Sequence, residues 1–268
     1  MLLKKLIKNC PKNFKNLKIK GLSQDSRSLK KGDLFFAIKG EKFNGEKFIK
    51  KAILNGAKAI VCSSSCKFIS KKIAIIKTRK LKDTLIFACK NFFKNKPKNI
   101  IAVTGTNGKT SVAGFYNQLL TLNKIPVATI GTLGIMCGKK INKSNLTSPD
   151  IISLHKELQK LKEKKIENVI IEASSHGLHQ GRLEGINFKA GIFTNFTQDH
   201  LDYHKSMKNY LNAKLILFSK LLKKNQNIIT DNQIKEFKKL KLIAKKKSIN
   251  LLTIGTKASS IELSSIKY

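Results

Sequence analysis

The chain has 268 residues, enough for two modest domains with a core each, and 41% of them are apolar, as in a globular protein. No apolar run reaches membrane-spanning length, and the lysine-broken start MLLKKLIKNC is too short for a signal peptide, so no membrane is expected and a cytoplasmic setting is. The formal charge of +38 favours anionic ligands, but 51 of the 54 basic residues are lysines spread along the chain without interleaved aromatics, so compositional drift fits better than a nucleic-acid partner.

Residues 1–95 read as one small α/β domain. Ser23–Arg27 is a polar turn, Leu34–Ile38 a strand, Gly40–Gly45 a loop, and Phe48–Leu54 a helix ending at Gly56. Ala59–Cys62 and Ile73–Ile76 are short buried strands, and Lys94–Asn99, with Pro97, is the linker. Five cysteines fit a reduced compartment; Cys62 and Cys66 lie close, but no second Cys/His pair completes a zinc set.

Residues 96–268 alternate between strand and helix. Strands are predicted at Ile100–Val103, Val127–Ile130, Val169–Glu172, Gly191–Thr194 and Ile228–Ile229, with helices to about Leu122, near Ile152–Lys162 and over Met207–Leu222. The pattern predicts a mostly parallel sheet with helices on both faces, its chemistry at the carboxyl ends of the strands. The chain is organised around IIAVTGTNGKTS at Ile100–Ser111, a strand that breaks into a Gly-containing turn and a helix N-terminus. That order gathers backbone N–H groups at the positive end of a helix dipole, where a polyphosphate sits. Gly105, Thr106, Asn107 and Gly108 form the turn, Lys109 reaches the outer phosphates, and Thr110 or Ser111 offers a hydroxyl to Mg²⁺. Val103 stands where the usual P-loop has its first glycine, so the loop is a shortened variant.

Three polar clusters fall at strand ends. Glu172 follows Val169-Ile170-Ile171, placed either to hold a nucleotide's Mg²⁺ or to make a structural ion pair; Ser174, Gln180 and Arg182 offer polar groups to an anionic substrate. His200, within Thr194–His204, is open to two readings, metal ligand or structural side chain. Lys214 has Tyr210, Leu217, Phe218 and Leu221 at −4, +3, +4 and +7, which sets it on an apolar stripe. Either it snorkels to water, or burial favours a neutral amine able to take up CO₂ as a carbamate.

Together these stretches resemble the Mur ligase family, ATP-dependent amide-forming enzymes of peptidoglycan assembly, and most of all the members that add the third peptide residue to UDP-N-acetylmuramoyl-L-alanyl-D-glutamate. The resemblance rests on Asp25-Ser26-Arg27, Gly32–Gly40, Val103–Ser111, Leu146–Asp150, Glu172–Arg182 and Phe193–Lys214, in order and spacing. It implies a small N-terminal UDP-sugar-binding domain, then a P-loop ATPase domain. ATP would meet Gly105–Ser111, and Mg²⁺ would meet Thr110, Glu172, His200 and a carbamylated Lys214. Gln24, Ser26, Glu41, Lys42 and Phe43 would receive the UDP moiety. Asn145, Thr147, Ser148, Ser174, Gln180 and Arg182 would line the path of the muramoyl-peptide.

The substrate carboxylate would attack the γ-phosphate of ATP, and a diamino acid, diaminopimelate or lysine, would displace phosphate from the acyl phosphate. A monomer is expected. The family's amino-acid-binding third domain and its Asp-Asn-Pro-Arg signature are not found in the chain, so a truncated form with little activity is expected. The alternatives are a folylpolyglutamate-type ligase, against which Asp25-Ser26-Arg27 argues, and a basic P-loop module without ligase activity.

Overall fold

The computed structural model describes residues 1–40, 43–70, 73–138, 140–142, 147–256, 258 and 260–264. The chain separates into two compact units, Met1–Lys94 and Asn95–Tyr268.

In the first unit β1 (Gly21–Ser23), β2 (Asp33–Phe36), β3 (Ala59–Ser63) and β4 (Ala74–Thr78) pair in that order as a parallel sheet. All four residues of β2 are buried, and Phe35, Ile60 and Cys62 pack against Ile49 and Ala52 of α1 (Ile49–Leu54). A second helix, α2 (Leu81–Phe92), lies where the sequence reading placed no element and packs on β1 and β3. Its buried residues Leu85, Ala88 and Cys89 fall at i, i+3 and i+4, one face of a helix.

The second unit contains β5 (Asn99–Thr104), α3 (Lys109–Leu122), β6 (Val127–Gly131), β7 (Gly134–Cys137), β8 (Lys140–Asn142), α4 (Ile151–Glu163) and β9 (Asn168–Glu172). After these come α5 (Ser175–His179), β10 (Ala190–Phe193), α6 (Leu201–His204), α7 (Met207–Ile216), β11 (Asn227–Asp231), α8 (Phe237–Lys247), β12 (Asn250–Gly255) and β13 (Ile261–Glu262). Among the described residues they form one sheet in the order β13-β12-β11-β10-β5-β9-β6-β7-β8. The pairs from β13 to β6 are parallel; β7 and β8 add an antiparallel edge. This is the mostly parallel sheet that the strand and helix alternation predicts.

Alternate side chains of each central strand go to opposite faces, and both faces are covered. Ile100 and Ala102 of β5, with Val169 and Ile171 of β9, join the large core under α4, α7 and α8. Val103 and Ile170 point the other way and meet Ala113 of α3, with Ile101, Val112 and Tyr116 beside them. Two covered faces explain why these strands read as unbroken apolar runs. The predicted helix Met207–Leu222 is divided: α7 ends at Ile216 and one π-type turn, Leu217–Leu221, completes it. Asp150 caps α4, its Oδ1 accepting from the N–H groups of Ile152 (3.0 Å) and Ser153 (3.1 Å).

Leu158 of α4 is fully buried in the large core. Leu158→Ala should lower the unfolding free energy by about 2–5 kcal/mol through lost burial and the cavity left behind. Denaturant unfolding checks this, and an unchanged midpoint would contradict the packing.

Candidate functional site

The carboxyl ends of β5, β9 and β10 carry the strand-end clusters that the sequence singles out. After Thr104 the backbone turns through Gly105 (φ +151°) and Gly108 (φ +82°) into α3. A Cβ on Gly105 would lie 1.8 Å from Thr194 Oγ1, so only glycine fits there. The segment after β10 braces the turn. Thr194 Oγ1 donates to Asn107 O (2.6 Å), Asn107 N donates to Asn195 Oδ1 (2.9 Å), and Thr106 N donates to Asn195 O (3.0 Å). Thr106 Oγ1 donates to Thr197 O and accepts from Thr197 N. Among the described residues no side chain caps α3, and its first turn holds no acidic residue. Its leading N–H groups therefore suit an anion.

Two lysines converge on this loop. Lys109 Nζ donates to Gly105 O (3.0 Å) and Thr106 O (2.8 Å). Lys214 Nζ, on α7, donates to the same Gly105 O at 2.6 Å. Lys214 is 1% exposed, so it does not snorkel. Its amine lies 4.3 Å from the centre of the Tyr210 ring one turn earlier. Burial, then the neighbouring charge of Lys109, pull its pKa down to about 7, against the opposing pull of Asp199. Burial also lowers the Lys109 pKa, while Glu172 and Asp199 raise it.

Glu172 ends β9 and is 3% exposed. Among the described residues it makes hydroxyl and amide contacts: its Oε2 accepts from Thr110 Oγ1 (2.8 Å) and Thr132 Oγ1 (3.1 Å), and its Oε1 accepts from Thr132 N (3.1 Å). A buried carboxylate beside two hydroxyls suits a hard cation such as Mg²⁺. Among the described residues no three His, Cys, Asp or Glu side chains gather as a metal-binding group. A cation at Glu172 therefore needs hydroxyl, phosphate or further oxygen donors.

His200 is exposed, in a left-handed conformation (φ +51°), with Nε2 3.4 Å from Asp199 Oδ2. Its ring stands edge-on to His176 (4.9 Å) and to Tyr210 (6.0 Å), which brings it beside the Lys214 wall. His204 is buried, with Nε2 3.0 Å from Ser175 Oγ. Burial first, then the charges of His176, His179, His200 and Lys214, depress its pKa to about 4.

The remaining candidates divide between the two units. Ser148 Oγ donates to Glu172 O (2.9 Å) and lies 3.1 Å from Ser174 Oγ, which caps α5 by accepting from Gly177 N. Arg182 donates to Ser148 O (2.8 Å) and to Gln180 Oε1, and Gln180 Nε2 donates to Tyr203 OH (3.3 Å). Thr147 Oγ1 is 3.3 Å from Thr132 Oγ1. In the first unit Gln24 is half-buried and Ser26 buried, while Phe43 is 71% exposed with its ring against Phe48. Asp25 is held by a two-pronged contact from Arg27, which lowers its pKa. Glu41, Lys42 and Asn145 lie outside the described residues. The structure thus gathers Gly105–Ser111, Glu172, Lys214 and His200 at one sheet edge. It adds Thr132, Thr194, Asn195, Asp199 and Tyr210, which the sequence reading gave no role.

Two family descriptions match the chain: "Mur ligase middle domain" over residues 103–268 and "Mur ligase family, catalytic domain" over residues 18–87. The chain is 39% identical over 253 residues to the UDP-N-acetylmuramoyl-L-alanyl-D-glutamate--2,6-diaminopimelate ligase of Rickettsia conorii, covering 93% of this chain and 52% of that protein. To the ligase of the same name from Bradyrhizobium diazoefficiens it is 41% identical over 209 residues, 77% of this chain and 42% of the relative. A solved structure of a UDP-N-acetylmuramoyl-L-alanyl-D-glutamate--2,6-diaminopimelate ligase superposes with a TM-score of 0.82 over 97% of this chain and 53% of the other, at 24% identity, a likeness of fold. The chain spans about half the length of the curated relatives it matches.

Gly105→Ala should melt at a lower temperature than Gly108→Ala. Both substitutions pay for positive φ, but only the first collides with Thr194, whereas the nearest atoms to a Cβ on Gly108 are 4.0 Å away. Equal melting temperatures would contradict the bracing. For Lys214 the folded pKa of about 7 lies below the ordinary 10.5, so the unfolded chain binds the proton more tightly. Its contribution to stability therefore rises as the pH climbs from about 7 toward 10.5. Lys214→Met should remove that rise in urea midpoints measured between pH 7 and 9; parallel pH profiles for the two proteins would contradict the buried amine.

Proposed function

The chain belongs to the Mur ligase family, and on that premise we propose that it carries the ATP- and UDP-sugar-handling part of a ligase that joins diaminopimelate to UDP-N-acetylmuramoyl-L-Ala-D-Glu. The amino acid follows the names of the two relatives. The observation that carries the reading is the meeting of Lys109 and Lys214 at one loop carbonyl, with Thr110 of the following helix bonded to Glu172.

In this reading the N–H groups from Gly105 to Ser111 hold the β- and γ-phosphates of ATP. Lys109 leaves its two loop carbonyls to pair with the γ-phosphate. Thr110, Glu172 and His200 are assigned to hold Mg²⁺, which when bound would neutralise charge on the phosphates. The Lys214 amine, with its pKa near 7, is neutral often enough to add CO₂ and release a proton, and the carboxylate so formed supplies the missing anionic oxygen donor. Ser148, Ser174, Gln180 and Arg182 orient the muramoyl-peptide.

The peptide's free carboxylate attacks the γ-phosphorus and ADP leaves. The incoming neutral amine then attacks the acyl carbon, phosphate leaves with the C–O bond electrons, and one proton is released from the nitrogen. No protein nucleophile takes part, so positioning and charge neutralisation do the work. Gln24, Ser26 and Phe43 of the first unit are assigned to the UDP moiety. No helix among the described residues is long and apolar enough to cross a membrane; the reading sets the protein in the cytoplasm, as a monomer.

Equilibrium binding of Mg-ATP and of UDP-N-acetylmuramoyl-L-Ala-D-Glu, followed by phosphate release with and without diaminopimelate, tests this. Both ligands should bind, and Lys109→Ala should weaken ATP by about tenfold or more through loss of a charged hydrogen bond. Unchanged ATP affinity in that variant would count against the loop assignment.

A further inference from the structure

Thr132 is the first residue of the two-residue turn that joins β6 to β7, with Gly131 paired to Gly134 across it. The tight turn fixes its backbone, and both of its donors reach one carboxylate: the N–H goes to Glu172 Oε1 and the hydroxyl to Oε2, each at 3.1 Å. Gly131 makes room for this approach, since a Cβ there would lie 2.0 Å from Oε1.

A threonine hydroxyl has one proton. With that proton given to Glu172, the 3.3 Å contact between Thr132 Oγ1 and Thr147 Oγ1 must be donated by Thr147. The direction of the chain is thereby set: Thr147 donates to Thr132, Thr132 donates to Glu172, and Thr110 donates to the same Oε2. One file of hydroxyls connects the loop before α4 to the phosphate loop through a buried carboxylate.

We propose that Thr132 is a positioning residue of the cation site, holding Glu172 in the orientation a divalent ion needs and tying that orientation to Thr147. The proposal rests on the reading of Glu172 as a Mg²⁺ ligand. Thr132 itself touches neither ion nor phosphate; it acts by locking both carboxylate oxygens, as the groups bonded to metal ligands generally do.

The test is the Mg²⁺ dependence of ATP-analogue binding by the full chain, using a non-hydrolysable analogue with magnesium titrated at fixed nucleotide. Thr132→Val keeps the shape and the backbone N–H but removes the hydroxyl; Thr132→Ser keeps the hydroxyl. The valine variant should need about ten- to a hundredfold more Mg²⁺ for half-maximal binding, with its affinity for the metal-free analogue within about twofold of wild type. Serine should restore most of the Mg²⁺ response, and Thr147→Val should shift it in the same direction by a smaller factor. An unchanged Mg²⁺ midpoint in Thr132→Val, or an equal loss with and without the metal, would overturn the proposal. Wild-type binding indifferent to Mg²⁺ would instead overturn the reading of Glu172, and the proposal with it. Thermal melting identifies any variant that fails to fold, in which case Thr147→Val decides the matter: an unshifted midpoint overturns the link.

Discussion

The carbonyl oxygen of Gly105 accepts from the ammonium groups of two lysines, Lys109 and Lys214, one from the helix beside it and one from α7 more than a hundred residues later. Two like charges around one acceptor repel, and Lys214 is removed from water while Lys109 is partly so. Each effect disfavours the protonated form, and together they bring Lys214 to the edge of neutrality. The arrangement persists because the carbonyl, the Tyr210 ring and the charge of Asp199 partly offset that cost. A site built this way gains from an incoming polyanion, which relieves the repulsion between the lysines and gives Lys109 a better partner than a backbone carbonyl.

The parallel sheet makes the convergence possible. In a parallel array the carboxyl ends of neighbouring strands share one edge, and the loops leaving them meet there. β5 leads into the Gly105–Gly108 loop, β10 supplies Thr194 and Asn195 that brace it, β9 ends on Glu172, and β6 turns at Thr132 to hold that carboxylate. None of these loops needs to be long, because strand order sets their spacing. The segment 194–197 adds hydrogen bonds to the Gly105–Gly108 loop beyond those that Lys109 makes to its carbonyls.

Much of this was legible in the chain itself. The apolar runs of β5, β9 and β10 are the mark of strands covered on both faces, and the glycines and Lys-Thr-Ser at the end of β5 mark an anion turn. Lys214 could be set on an apolar stripe by counting, but its burial depended on α7 packing against the loop, which spacing alone does not encode. α2 carries its buried Leu85, Ala88 and Cys89 on one helical face, a short stripe for which the chain pattern gives no clear helix boundary. Strands β7 and β8 are too short to show a pattern, and Thr132 lies in a turn whose purpose appears only when β9 is seen beside it. Asp199 and Tyr210 were hidden for the same reason, since their roles come from neighbours distant in sequence.

In the proposed reading the loop from Gly105 to Ser111 receives a triphosphate beside a modified Lys214. A crystal structure of the full chain grown with bicarbonate, Mg²⁺ and a non-hydrolysable ATP analogue examines both at once. It should show the phosphates over the start of α3, Lys109 released from the Gly105 and Thr106 carbonyls onto the γ-phosphate, and a carboxylate on Lys214 Nζ. A nucleotide bound elsewhere, with Lys109 still folded onto its own loop and Lys214 unmodified, would contradict it.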